Sequence, residues 1–238
     1  MSRMGRRVDA SFMLIKNLQN LRKKTLREQI YEEVVRLIVS GELPSGGWVD
    51  EKRVIDRLRA SRTPFREAIG TLANEGLVEI KPYRGFYVRS FSRDETADLY
   101  ELYKRLECFA VELAVPQMSD RDIRRFENIL LGAVDALQRG DTKAYAIRDR
   151  QFCDAVAEQS GNSALIEALA RFTLQIQLCG IITNVSPELA ERTAHGCCDI
   201  IEAFRARDSA RAASLLRAHI GYAQEAILLR FPDQIAAR

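Results

Sequence analysis

The sequence predicts a mainly α protein, an N-terminal winged helix-turn-helix with a small β-hairpin wing followed by an all-α helical bundle. Three observations carry this expectation. Between residues 25 and 90 the hydrophobic periodicity runs helix, short turn, helix and then two short β runs. After Phe91 strand signals cease and only helical spacing continues. The charge changes sign at the same place. Residues 1–91 hold 18 Lys+Arg against 11 Asp+Glu, whereas residues 92–238 hold 18 against 22. Three segments follow: a basic arm over 1–24, a winged helix over 25–91 and an all-helical bundle over 92–238.

Taken in order, Thr25-Leu-Arg-Glu28 is a capping box that opens the first helix, with Leu26, Ile30, Val34, Leu37 and Ile38 at helical spacing and Gly41 as its left-handed stop. Gly41-Glu-Leu-Pro-Ser-Gly-Gly47 mimics the start of a phosphate loop. Trp48-Val49 stands where Lys-Ser/Thr would be required, so nucleotide binding is rejected there. Asp50 caps a short helix through Arg59. Ser61 is the next N-cap, and Pro64 falls in the first turn, where its missing N–H is harmless. Phe65, Ala68, Ile69 and Leu72 face inward up to Gly76, and Leu77–Lys81 with Phe86–Arg89 form a hairpin around Pro82-Tyr-Arg-Gly85. Ser92, Ser119, Asp141 and Ser186 mark later helix starts, predicting helices over about 93–115, 120–139, 142–160, 162–182, 187–206 and 208–230.

Composition narrows the class further. Hydrophobic residues make up 47% and charged residues 29%, a soluble globular balance. No apolar run approaches a membrane span, and no apolar stretch follows the basic start as a secretory signal would. Five cysteines, an odd number thinly spread, read as reduced thiols of a cytoplasmic protein. The Gly-x-Ser-x-Gly, His-Glu-x-x-His and post-strand Gly-x-Gly-x-x-Gly signatures are absent, so an enzyme is not expected; a thiol enzyme pairing Cys153 with His219 is the remote alternative.

In a winged helix-turn-helix the second helix enters the major groove. Its exposed front here carries Ser61, Arg62, Thr63 and Arg66: guanidinium forks for guanine edges or phosphates, hydroxyls and helix-start amides for phosphate oxygens. Lys52 on the preceding helix and Arg84 at the hairpin extend the positive surface.

Gly41-Glu-Leu-Pro-Ser-Gly, Ser61-Arg-Thr-Pro-Phe-Arg-Glu-Ala68, Asn74-Glu-Gly-Leu-Val78 and Arg84-Gly85 resemble the GntR-type bacterial transcriptional regulators almost continuously over 25–90. The resemblance implies DNA contacts at Lys52, Ser61, Arg62, Thr63, Arg66, Arg84 and Gly85. Val54-Ile55-Asp56 departs from the Leu-Ala common in that helix.

The back half resembles the effector-binding domain of the FadR subgroup, through Glu101-x5-Glu107, Phe152, Ser160-Gly-Asn162, Glu202-Ala203, Asp208 and Ala218-His219-Ile220. Many members hold a divalent metal on one Asp and three His. Those positions here are Asp149, Cys153, Cys197 and His219, so the spacing survives while two imidazoles have become thiols. Cys197 shares an inward phase with Ile200, Ile201 and Phe204, and His195 lies on the opposite, polar face. Three readings stay open: an Asp-Cys-Cys-His site for one divalent metal such as Zn²⁺, two buried cysteines acting as small hydrophobes, and a thiol pair that oxidises. The subgroup's carboxylate-holding Arg is replaced by Tyr103, which weakens the implied organic-acid effector; Arg148 and Arg171 are candidates to compensate. The implied effector pocket is therefore Tyr103, Asp149, Cys153, Cys197 and His219. The expected protein is a homodimeric, sequence-specific repressor of double-stranded operator DNA, modulated by a small molecule, or alternatively by metal or thiol redox through Cys153 and Cys197.

Overall fold

A computed structural model of the chain describes residues 24–181, 187–229 and 231, giving only the backbone at 142–143, 180–181 and 187–195. Residues 1–23 of the basic arm and the Ser186 helix start thus lie outside the described residues. Internal contacts separate one unit ending at Ser90 from a second beginning at Phe91.

In the first unit, α1 (Leu26–Val39) opens on the Thr25/Glu28 capping box, each residue satisfying the other's backbone amide, and stops before Gly41 at φ 75°. Ile30, Val34, Val35, Leu37 and Ile38 are buried, while Leu26, expected inside, is exposed at the helix start. α2 (Glu51–Leu58) is capped by Asp50, which accepts from the Arg53 N–H at 3.0 Å, and ends one residue early because Arg59 turns left-handed. α3 (Arg62–Asn74) buries Phe65, Ala68, Ile69 and Leu72 as its spacing requires. β1 (Val78–Lys81) and β2 (Gly85–Val88) pair antiparallel, with Val78 opposite Val88 and Lys81 opposite Gly85. A third edge is formed by Gly46–Val49, whose backbone exchanges bonds with Phe86 and Val88.

The second unit is a bundle of α4 (Arg93–Ala114), α5 (Asp120–Gln138), α6 (Thr142–Gln159), α7 (Ser163–Ile181), α8 (Pro187–Arg205) and α9 (Ser209–Leu228), with a 3-10 turn at Val115–Gln117. Ser92/Glu95 and Ser119/Asp122 are capping boxes, and Asp141 and Asp208 cap α6 and α9. α4 is central, packing on α9, α6 and α7, and α5 closes the other side against α6 and α8. Phe126, Phe152 and Phe204 meet at the centre with ring centroids 5.7 to 6.0 Å apart. The predicted boundaries in this half that fall among the described residues lie within two residues of those observed. No helix among the described residues is long and apolar enough to cross a membrane.

Candidate functional site

The first site belongs to the N-terminal unit. Burial of Phe65, Ala68, Ile69 and Leu72 fixes the rotation of α3, and Ser61, Arg62, Thr63 and Arg66 are left exposed. Ser61 stands at the N-cap, but its side chain makes no capping bond. The first amides of α3 therefore stay open to an outside acceptor. Arg62 is 83% exposed, with Nε 3.8 Å from a Glu51 carboxylate oxygen, beyond hydrogen-bond reach. That guanidinium is steered toward the helix start without being held. Lys52 on α2 and Arg84 at the hairpin turn are exposed as well.

Gly85 is of a different kind. Its φ of +101° suits glycine, and a Cβ there would come within 3.0 Å of the Trp48 indole nitrogen, so it shapes the wing against the Gly46–Val49 edge. Phe65 meets Phe86 edge-to-face at 5.5 Å, joining the buried side of α3 to the wing strand. α3 and the wing strand thereby pack directly on each other.

The second site lies in the bundle, where four residues were expected to form a ligand set. His219 Nε2 and Asp149 Oδ1 are 2.8 Å apart, joining α9 to α6. Cys153 and Cys197 are buried and in no disulfide, as are Cys108 and Cys179. Burial raises the pKa of Cys153 well above the ordinary thiol value, helped by the charges of Glu107 and Asp149. Burial likewise pushes Cys197 up to about 12. Among the described residues no group of three or more His, Cys, Asp or Glu is arranged to hold a metal ion. Of the residues expected as a ligand set, the geometry brings Asp149 and His219 together in a bond with each other, while Cys197 lines a groove between α5 and α8 with Leu130, Leu131 and Ile201. A Zn²⁺ ion there would have to break the Asp149–His219 bond and displace the proton of each thiol. The same raised thiol values argue against easy oxidation, since the thiolate is the reactive form. The side chain of His195 lies outside the described residues.

Tyr103 is buried, and its hydroxyl accepts from an Arg150 guanidinium nitrogen at 3.1 Å. Arg150 also pairs with Asp154. Burial opposes its charge, but Tyr103, Asp154 and Glu107 more than offset that and raise its pKa. A guanidinium thus enters the core from α6, where sequence reasoning had looked to Arg148 and Arg171, both exposed. Arg150 was missed because one more charged residue on α6 is inconspicuous; its only sequence signal is Asp154 four residues on. Glu107, one turn along α4 from Tyr103, is completely buried. Burial pushes its pKa up to about 6, with Arg150 and Tyr103 opposing in part.

Comparison with known proteins agrees with both units. The family model of bacterial regulatory proteins, gntR family, matches residues 26–88, and that of the FCD domain matches 98–222. The chain is 24% identical over 195 residues to the uncharacterized HTH-type transcriptional regulator YdhC of Bacillus subtilis, covering 82% of this chain and 87% of that one. It is 26% identical over 207 residues to the "Probable D-xylose utilization operon transcriptional repressor" of Paenarthrobacter nicotinovorans, covering 85% and 88%. Escherichia coli McbR/YncC shares the fold with a TM-score of 0.77 at 19% identity, over 88% of this chain and 100% of that one. These relatives are transcriptional regulators, not enzymes. With an open basic face on a winged helix ahead of a helical bundle, and both family models matched, the chain belongs to the GntR family of bacterial transcriptional regulators and carries its FCD domain.

Proposed function

We propose that the chain is a sequence-specific, homodimeric, cytoplasmic repressor whose operator affinity is set by a small molecule bound in the helical unit. The observation that carries the DNA half is the uncapped, exposed front of α3, with Ser61, Arg62, Thr63 and Arg66 presented while the opposite face is locked in the core. Lys52 and Arg84 add phosphate contacts, and Gly85 holds the wing in shape. Two half-sites read by a dimer give the affinity that one winged helix lacks. The effector half is supported by the polar cluster in an otherwise apolar bundle, Tyr103, Glu107, Asp149, Arg150 and His219, with Cys153 buried beside it. The test is a gel-shift titration on duplexes selected from a random pool by the full-length protein. Arg62→Ala and Arg66→Ala are expected to lose about tenfold or more in specific binding each, since a good bidentate base contact is worth about 1–3 kcal/mol. Their residual binding should still fall steeply with salt. Unaltered specific affinity in both variants would refute the recognition role.

A further inference from the structure

The wing turn contains a residue that neither the hairpin nor its core requires. Lys81, Pro82, Tyr83 and Arg84 form a four-residue turn closed by the Arg84 N–H on the Lys81 carbonyl at 3.0 Å. Pro82 suits the second position because its ring fixes φ. Tyr83 takes the third with φ +60°, the sign a type II turn demands there and one ordinarily met by glycine or asparagine. A side chain with a Cβ is strained in that conformation. The turn is nevertheless held in one shape. The Tyr87 hydroxyl donates to the Arg84 carbonyl at 3.2 Å, and the Lys81 ammonium sits 4.8 Å from the centre of the Tyr87 ring. Tyr83 itself packs on nothing in its unit, since its relative exposure is 109%. A strained backbone that displays a fully solvated aromatic ring between two cations gives the fold nothing, and strain of this kind is characteristic of sites that a partner uses.

We infer that Tyr83 reads DNA: its ring enters the minor groove beside the bases met by α3, and its hydroxyl favours A·T pairs there. The inference rests on the DNA-binding reading above. A two-stranded ribbon is too wide for a minor groove about 6 Å across, but a single side chain projecting from its turn can enter it. The floor of that groove at A·T or T·A presents only acceptors, adenine N3 and thymine O2, to which a phenol O–H can donate. A G·C pair places an amino donor in the way. Arg84, next in the chain, adds the cation that a narrow A·T-rich groove attracts.

The experiment titrates wild type, Tyr83→Phe, Tyr83→Gly and Arg62→Ala against duplexes selected from a random pool by the full-length wild-type chain, and repeats the selection with each Tyr83 variant. Tyr83→Phe keeps the ring and loses the donor, so it should bind about fivefold more weakly and lose A·T enrichment at the flanking positions. Tyr83→Gly relieves the turn, so the unit carrying Trp48 should melt no lower than wild type while binding weakens about tenfold or more. Wild-type affinity and flanks in both Tyr83 variants, with Arg62→Ala defective, would overturn this inference alone. Weaker binding by both variants with the A·T preference intact would overturn the role of the hydroxyl. Failure of the wild type to enrich any sequence would overturn the DNA-binding reading itself.

Discussion

Phe65→Ala is the substitution most able to separate the two units. Phe65 is fully buried on α3, and its ring meets Phe86 of the wing at 5.5 Å. Truncation removes a phenyl ring from a closed core, which costs about 3–5 kcal/mol in comparable sites. Part of that figure, about 0.5–1.5 kcal/mol, is the edge-to-face pair itself. A unit of about 65 residues has about 3–10 kcal/mol of stability at ordinary per-residue values. The loss is therefore of the same order as the whole, and the N-terminal unit should be largely unfolded in buffer while the bundle, which Phe65 does not belong to, stays folded.

Trp48 makes the assay selective. It is the only tryptophan in the chain, and it lies against Gly85 in the first unit. Its fluorescence reports that unit alone, while far-UV circular dichroism is dominated by the long helices of the second. With a urea dependence of about 1 kcal/mol/M for so small a unit, the fluorescence midpoint should fall by several molar, with the bulk of the helical signal retained. Phe65→Leu keeps most of the volume and should fall by less than half as much. A Trp48 transition in Phe65→Ala that lies within about 1 M of wild type would refute the reasoning.

Two further outcomes concern the bundle. Glu107 has its folded pKa raised from 4.5 to about 6, so folding favours the protonated acid; this stabilisation is full below pH 4.5 and is lost as pH rises through 6. The wild type should lose about 2 kcal/mol across that window relative to Glu107→Gln, measured by urea titration at several pH values; parallel pH profiles would contradict it. Asp149→Ala leaves His219 buried without its partner at 2.8 Å, and the bundle should lose about 1–3 kcal/mol, whereas a chelator such as EDTA should leave the wild-type melting temperature unchanged. A chelator-induced drop would restore the metal reading.

The fold was legible wherever a local rule decided it. The Thr25, Ser92 and Ser119 boxes and the left-handed Gly41 each depend on residues within one turn, and so does the inward stripe of α3. The Gly46–Val49 edge was not legible, because it pairs with Phe86 and Val88 some 40 residues away, through a glycine-rich stretch with no alternating pattern. Leu26 fits the periodicity but sits at the first position of α1, where the helix has not yet reached the core. In the bundle, it was the resemblance to the FadR subgroup that implied Asp149 and His219 meet, and they lie 2.8 Å apart. Which arginine would face Tyr103 turns on helix phase: at about 100° per residue Arg148 and Arg150 lie on nearly opposite sides of α6, and it is Arg150 that meets Tyr103.

The chemistry of that core is consistent with the residue changes that the sequence shows. An imidazole ligand binds a metal as a neutral group, but a thiol must first lose a proton. Cys153 would have to do so in an apolar interior beside Glu107 and Asp149, and both carboxylates raise its pKa further. Neutral thiols avoid that penalty altogether and pack as small hydrophobes. Asp149 then needs another donor, and His219 supplies it. The arginine absent from position 103 is replaced by one arriving from α6, and Arg150 divides its donors between the Tyr103 hydroxyl and Asp154. Glu107 is buried beside Tyr103 and Arg150, and burial holds its pKa up at about 6. A carboxylate effector entering this core would have to compete with Tyr103 and Asp154 for the Arg150 guanidinium.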